Sequence, residues 1–136
     1  MIVDSSAVIA ILFDEPEATA FIDMIHMATA CHMSAANALE AAMVIDRRES
    51  VSLTRHYDRF MEVANIQIAP VTTEDVSFAR HAYHQFGKGK HRAALNFGDC
   101  FAYALAKRLG LPLLFKGNDF IHTDIVSAVA TLNTPH

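Results

Sequence analysis

The stretch "NFGDCFAYALAKRLGLPLLFKGND" (Asn96 to Asp119) contains a complete structural unit. Asn96 followed three residues later by Asp99 is a helix-capping spacing. The run that follows is rich in strong helix formers, and Gly110 is its stop. "LPLLFK" then reads as a buried strand and "GND" as a turn. A helix feeding a short apolar strand that ends in polar residues is the building element of an α/β protein.

The same alternation extends outward in both directions. Met1 to Val3 is a short strand, and Ser5 or Ser6 is placed to cap the apolar helix after it. Pro16 opens a second helix near Glu17, with Ala18, Phe21, Ile22 and Ile25 at helical spacing. "ACHMS" (Ala30 to Ser34) is short, lies between helices and reads as a strand, and "AANALEAAMVIDRR" is helix. Val51 to Asn65 has the pattern of an amphipathic helix. "IQIAPV" alternates and meets a proline, which suits an edge strand. Thr73 is expected to cap the helix "EDVSFARHAYHQF", which Gly87 and Gly89 end in a loop. "DIVSAVATL" is expected to end in a last strand. Helices alternating with strands throughout imply a mostly parallel sheet covered on both faces, a three-layer α/β/α sandwich. Residues 1–136 read as one domain of this kind, with no repeat or linker.

Bulk properties narrow the class. With 52% hydrophobic and 19% charged residues the chain is globular rather than disordered. Its longest apolar run, Ala7 to Phe13, is far short of the roughly 20 residues that span a bilayer. Asp4 stands where a signal peptide would need basic residues. Cys31 and Cys100 lie in apolar runs, as small buried hydrophobes do, so a cytoplasmic location is expected. The net charge of −4 argues against gripping nucleic acid by bulk electrostatics. The segment Arg80 to Arg92, "RHAYHQFGKGKHR", is nevertheless free of acids and holds Lys88, Lys90 and Arg92.

In open parallel sheets, ligands bind beyond the carboxyl ends of the strands. Asp4 lies just past the first strand, Asn118 and Asp119 just past "LLFK", and Asp99 in the first turn of the helix entering that strand. Glu40 is on the helix after "ACHMS". Each has an ordinary structural explanation: strand-end turn, helix cap, polar turn or, for Glu40 with Asn37, Arg47 and Arg48, a solvated helix stripe. Together they are expected to converge on one acidic rim, a convergence that only the folded chain can show. Clustered carboxylates repel and take up protons unless a cation intervenes. An all-oxygen set suits Mg²⁺ or Mn²⁺ rather than zinc, and such ions activate water and stabilise charge on a phosphoryl group. Acids beside a basic segment therefore point to phosphodiester hydrolysis.

Other chemistries lack their motifs. There is no GxxxxGK[ST] loop and no HExxH, and "GKGKHR" has Arg92 where a dinucleotide fingerprint needs its third glycine. His81 and His84 share a helical face without a third ligand nearby in sequence.

"MIVDSSA", the glutamate of "NALEAAMV", the block "NFGDCFAYALAKRLGLPLLFKGNDF" and the "TDI" after it resemble the PIN-domain nucleases, and more narrowly the VapC-type toxins of bacterial toxin–antitoxin pairs. The match is collinear from Met1 to about Ile125. This resemblance implies a PIN-like fold and a metal-dependent endoribonuclease. By similarity, Asp4, Glu40, Asp99 and Asp119 form the acid tetrad, and Asp4 and Asp99 bind Mg²⁺ or Mn²⁺. Ser6 supports those carboxylates and Asn96 lines the pocket. Asn118 departs from the pattern, because relatives often carry an acid there; Asp124 is an alternative fourth acid. In the nuclease reading Lys88, Lys90 and Arg92 grip the RNA backbone. The resemblance also implies a homodimer and a VapB-type antitoxin that pushes a basic side chain into the acids.

Two other classes compete with this reading. A receiver-like switch would also hold Mg²⁺ in an acid pocket and use a lysine after a late strand, here Lys116, but it needs an acid after a middle strand and "IQIAPVTT" has none. The other is an inactive PIN scaffold that only binds a partner. Haloacid-dehalogenase phosphatases need Asp-x-Asp at the first strand, and this chain has Asp4-Ser5-Ser6.

Overall fold

Apolar residues in unbroken pairs, rather than in alternation, dictate the layering. The structure, a computed structural model, describes residues 1–129. Among the described residues, β1 (Ile2–Val3), β2 (Cys31–Ser34), β3 (Ile66–Ala69) and β4 (Leu113–Leu114) form one parallel sheet in the order β3-β2-β1-β4. Ile2, Leu113 and Phe115 pack on one face with Ala82, Leu95 and Tyr103. Val3 and Leu114 pack on the other with Val8, Ala41, Ile45 and Tyr57. Strands buried on both faces need both side-chain directions apolar, as parallel sheets do.

Helices α1 (Ser5–Leu12), α2 (Ala18–Met27), α3 (Ala35–Asp46) and α4 (Val51–Val63) supply the second of these cores. Helices α5 (Thr73–Phe86) and α6 (Phe97–Leu109) cover the opposite face. This is the expected three-layer sandwich, with β3 as the edge strand before Pro70. Cys31 and Cys100 are free thiols and buried.

The chain steps from β1 out to β2 and β3, then returns to place β4 on the other side of β1. Such a reversal leaves a crevice at the carboxyl ends of the central strands. Because α6 runs back towards the amino end of β4, its own N-terminus lies on that carboxyl rim. The last turn of α6 is anchored by its cations. Arg108 Nε and Nη2 donate to Asp75 at 2.5 and 3.3 Å, and Lys107 pairs with Asp124 at 2.6 Å. These residues thus tie α6 to α5 and to the chain after β4, beyond any favourable effect on the helix dipole.

Three local expectations change. The cap of α1 is Asp4 itself rather than Ser5 or Ser6, since its extended backbone already turns out of β1 and its carboxylate accepts from Ser6 N. Thr72, not Thr73, caps α5, because a capping box with Asp75 requires a spacing of three. In place of a full last strand, the described part of "DIVSAVATL" makes a single parallel bridge, Ser127 to Leu113, and Ala128 and Val129 are already helical. Residues 130–132 of that segment lie outside the described residues.

Candidate active site

Asp4 sits at the junction of β1 and α1, 3% exposed. Its Oδ2 accepts from Ser6 N at 3.1 Å and from Ser6 Oγ at 2.6 Å. Ser6 Oγ in turn accepts from Lys116 N at 3.0 Å, which links the ends of β1 and β4. Asp4 Oδ1 is buried without a hydrogen-bond partner. Burial pushes this carboxyl up to about 6, more than the two Ser6 hydrogen bonds lower it, and the charge of Glu40 adds to the rise.

Asp99 occupies the first turn of α6. Asn96 Oδ1 accepts from Asp99 N at 2.9 Å, and Asp99 Oδ2 accepts from Asn96 N at 3.0 Å. This reciprocal box starts the helix on the rim and fixes the aspartate, so the candidate ligand is also the N3 partner of the helix cap, Asn96. Asn96 is therefore a cap at the rim of the site, its side-chain oxygen engaged by the helix. Asp99 is raised to about 7, first by burial and then by the charges of Asp4, Asp119 and Glu40, against the Asn96 hydrogen bond. The other three sequence-predicted acids thus act on the carboxyl of the fourth.

Glu40 is not on a solvated stripe. Arg47 and Arg48 are exposed as expected, but Asn37 is 1% exposed and Glu40 is half-buried. Ser5 Oγ donates to Glu40 Oε1 at 2.5 Å, and Asn37 Nδ2 reaches the same oxygen at 3.4 Å. Asn37 Nδ2 also donates to Gly98 O at 2.9 Å. A β-carbon on Gly98 would stand 2.1 Å from Glu40 Oε2, so only glycine lets the carboxylate lie against the first turn of α6.

Asp119 and Asn118 are exposed in the turn after β4, where Gly117 adopts φ +101°. Phe120 anchors that turn, its ring tilted against that of Phe115 with centroids 5.1 Å apart. Asp124, the alternative fourth acid, is committed elsewhere: Tyr103 Oη donates to it at 2.7 Å and Lys107 pairs with it. Lys116, the lysine a receiver-like switch would need, is held by Glu15 and Glu17.

The donor set fits a hard divalent cation. It is all oxygen, one buried carboxylate oxygen lacks a partner, and burial and neighbouring charge raise two carboxyls in a way that a cation would offset. Among the described residues no three His, Cys, Asp or Glu side chains are gathered closely enough to ligate one ion by themselves. Two carboxylates completed by water suit Mg²⁺, which keeps several of its waters.

Comparison with known proteins supplies the family. The PIN domain model matches residues 1–126. Ribonuclease VapC30 of Mycobacterium tuberculosis is 45% identical over 127 residues, covering 93% of this chain and 97% of that protein. Ribonuclease VapC28 of the same species is 46% identical over 130 residues, covering 95% and 98%. This chain belongs to the PIN domain family, among the VapC ribonucleases. The crystal structure of Mycobacterium tuberculosis VapC20, described as a Sarcin-Ricin loop cleaving toxin, superposes with a TM-score of 0.71 over 92% of this chain and 95% of that one. At 14% identity, that match speaks for the fold.

In this PIN domain the basic residues Lys88, Lys90 and Arg92 are exposed on the loop between α5 and α6. The loop closes on itself through Lys88 N to Leu95 O and Leu95 N to Phe86 O, and Lys90 Nζ lies 4.4 Å from the Tyr83 ring centre. It leads directly into Asn96, but no cation from it is among the charges that act on Asp99. His81 and His84 are exposed on α5. Sequence reasoning missed Ser5, Asn37 and Gly98. Asn37 preceding Glu40 by three, on one helical face, is the signal that was available.

Proposed function

We propose that this PIN domain protein is a metal-dependent endoribonuclease toxin that hydrolyses RNA phosphodiester bonds and is neutralised by a VapB-type antitoxin. The observation that carries this reading is the gathering of buried Asp4, with its unpartnered Oδ1, and of Glu40, packed against the first turn of α6, close enough to Asp99 that their charges and that of Asp119 raise its carboxyl. The VapC ribonucleases that match along nearly the whole chain support it.

Asp4 and Asp99 would hold the ion, Mg²⁺ or Mn²⁺. A bound ion of this kind supplies positive charge to the phosphoryl group and makes a water more acidic. Glu40 and Asp119 would complete the shell through bound water or orient the attacking water. Asn118 contributes an uncharged amide beside Asp119, which weakens any second ion position. Ser6 keeps the Asp4 carboxylate fixed and ties it to β4. Lys88, Lys90 and Arg92 contact the RNA backbone. The antitoxin would deliver a basic side chain to the unpartnered oxygen of Asp4. We further infer that residues 1–136 act as one nuclease domain, assembled as a homodimer in the cytoplasm. No helix among the described residues is long and apolar enough to cross a membrane.

The test compares wild type with Asp99→Asn, both freed of co-purifying protein, on total RNA with Mn²⁺, Mg²⁺ or chelator. Asparagine preserves the capping geometry and removes the charge. Discrete cuts that need a divalent ion and vanish in the variant are expected. Cutting that survives both chelator and substitution would come from a contaminant, and a folded wild type that never cuts would favour the inactive-scaffold reading.

A further inference from the structure

Resting on the nuclease reading, we infer that Ser5 and Asn37 are positioning residues that clamp Glu40 by one oxygen and present the other to the first turn of α6. Both donors converge on Oε1, Ser5 Oγ at 2.5 Å and Asn37 Nδ2 at 3.4 Å. Oε2 is then directed against the Cα of Gly98, in the turn that carries Asp99. Asn37 also holds that turn directly, through its bond to Gly98 O at 2.9 Å. Three segments distant in sequence, the start of α1, the face of α3 and the start of α6, are thereby locked around one carboxylate.

A purely structural role explains this arrangement poorly. Asn37 is 1% exposed, and its Oδ1 is buried with no hydrogen-bond partner. A buried amide with half its hydrogen-bonding capacity unmet destabilises a fold, and an apolar side chain of the same shape would pack there better. Polar groups kept at such a cost are expected at functional sites. The same holds for Ser5, a buried hydroxyl inside the first turn of α1 whose bond goes to a carboxylate rather than to its own helix. Glu40 itself lies close enough to raise both Asp4 and Asp99, so its placement bears on the whole acid cluster.

The experiment measures kcat and KM on a defined RNA, the melting temperature and Mn²⁺ binding by electron paramagnetic resonance for Ser5→Ala, Asn37→Ala, the double variant and Glu40→Gln. Asn37→Leu, which keeps the branching at Cγ and is apolar, is included in case the alanine variant fails to fold. Expected are kcat losses of about tenfold to a hundredfold with KM for RNA within about twofold. Melting temperatures should be unchanged or higher for Asn37→Leu, and Mn²⁺ binding should weaken as it does in Glu40→Gln. Because both residues act through one carboxylate, the double variant should lose little more than the worse single variant. Wild-type kcat in the single variants, losses that multiply in the double, or losses that only follow a lower melting temperature would each overturn the clamp. A wild type that cuts no RNA would count against the nuclease reading instead. The clamp is then decided by Mn²⁺ binding alone, weakened in the variants if it holds and unchanged if it does not.

Discussion

Glu40 Oε2 occupies the space that a β-carbon on Gly98 would need, at a separation of 2.1 Å. Glycine stabilises a helix less than alanine does, so this first-turn position gives up some helix stability to admit a carboxylate. The obstructing atoms belong to a side chain rather than to backbone, so the fold accommodates a methyl group by displacing Glu40 from its clamp. Gly98→Ala is therefore expected to keep or raise the melting temperature while RNA cleavage falls by about tenfold or more. Turnover equal to wild type, measured beside a thermal melt, would show that the contact between Glu40 and α6 is immaterial.

The raised carboxyls set a pH dependence of stability. Asp4 rises from 3.8 to about 6 and Asp99 from 3.8 to about 7 on folding. Between about pH 4 and 7 the folded protein thus holds protons that the unfolded chain has released, so stability falls as pH rises through that window. For the fully buried Asp4 the cost above pH 7 is on the order of 3 kcal/mol. In chelator, Asp4→Asn should melt several degrees above wild type at pH 8, and the gap should shrink towards pH 5. A gap independent of pH would contradict the raised carboxyls.

Divalent cations should act on the same window with the opposite dependence. An ion bound by Asp4 and Asp99 displaces their protons, so it binds more tightly at pH 8 than at pH 5.5. At a hundredfold excess over its Kd it stabilises the fold by about 2.7 kcal/mol. Melting with and without Mn²⁺ at both pH values should show the larger rise at pH 8, abolished in Asp4→Asn and Asp99→Asn. An equal rise in those variants would place the ion elsewhere.

Neutralising Lys88, Lys90 and Arg92 together should leave the fold intact, because all three are exposed. If each contacts one phosphate of single-stranded RNA, the slope of log affinity against log salt falls by about 0.7 per residue. Binding titrations with inactive Asp99→Asn protein at several salt concentrations measure that slope directly. An unchanged slope would mark the loop as solvated surface.

Asp119 and Asp124 should separate cleanly. Asp124 is bound to Tyr103 and Lys107, so Asp124→Asn is expected to cost about 1 kcal/mol of stability and leave RNA cleavage near wild type. Asp119 is exposed and its charge acts on Asp99, so Asp119→Asn should lower cleavage with the melting temperature unchanged. The reverse pattern would make Asp124 the fourth acid.

The α/β alternation was readable because helix and strand periodicity, glycine stops and capping spacings are properties of neighbouring residues. The Asn96–Asp99 box and the acid at the end of β1 belong to this local class. The caps of α1 and α5 were misplaced by one or two positions because several polar residues stood side by side, and only backbone geometry chose among them. Glu40 illustrates the harder case. Its helix face looked solvated because Arg47 and Arg48 lie along it, yet the part of α3 near Glu40 is covered by the start of α6.

The sequence by itself therefore determined the layers and the parallel sheet and placed acids at strand ends and helix starts, since these follow from patterning along the chain. Tertiary structure alone decided which of them share a field, which donors hold them, and that Asp124 stands apart. Asn37 meets Gly98 across 61 positions of sequence. Whether a polar side chain is solvated or clamped depends on what packs over it, and that is settled only when distant segments close around the same space.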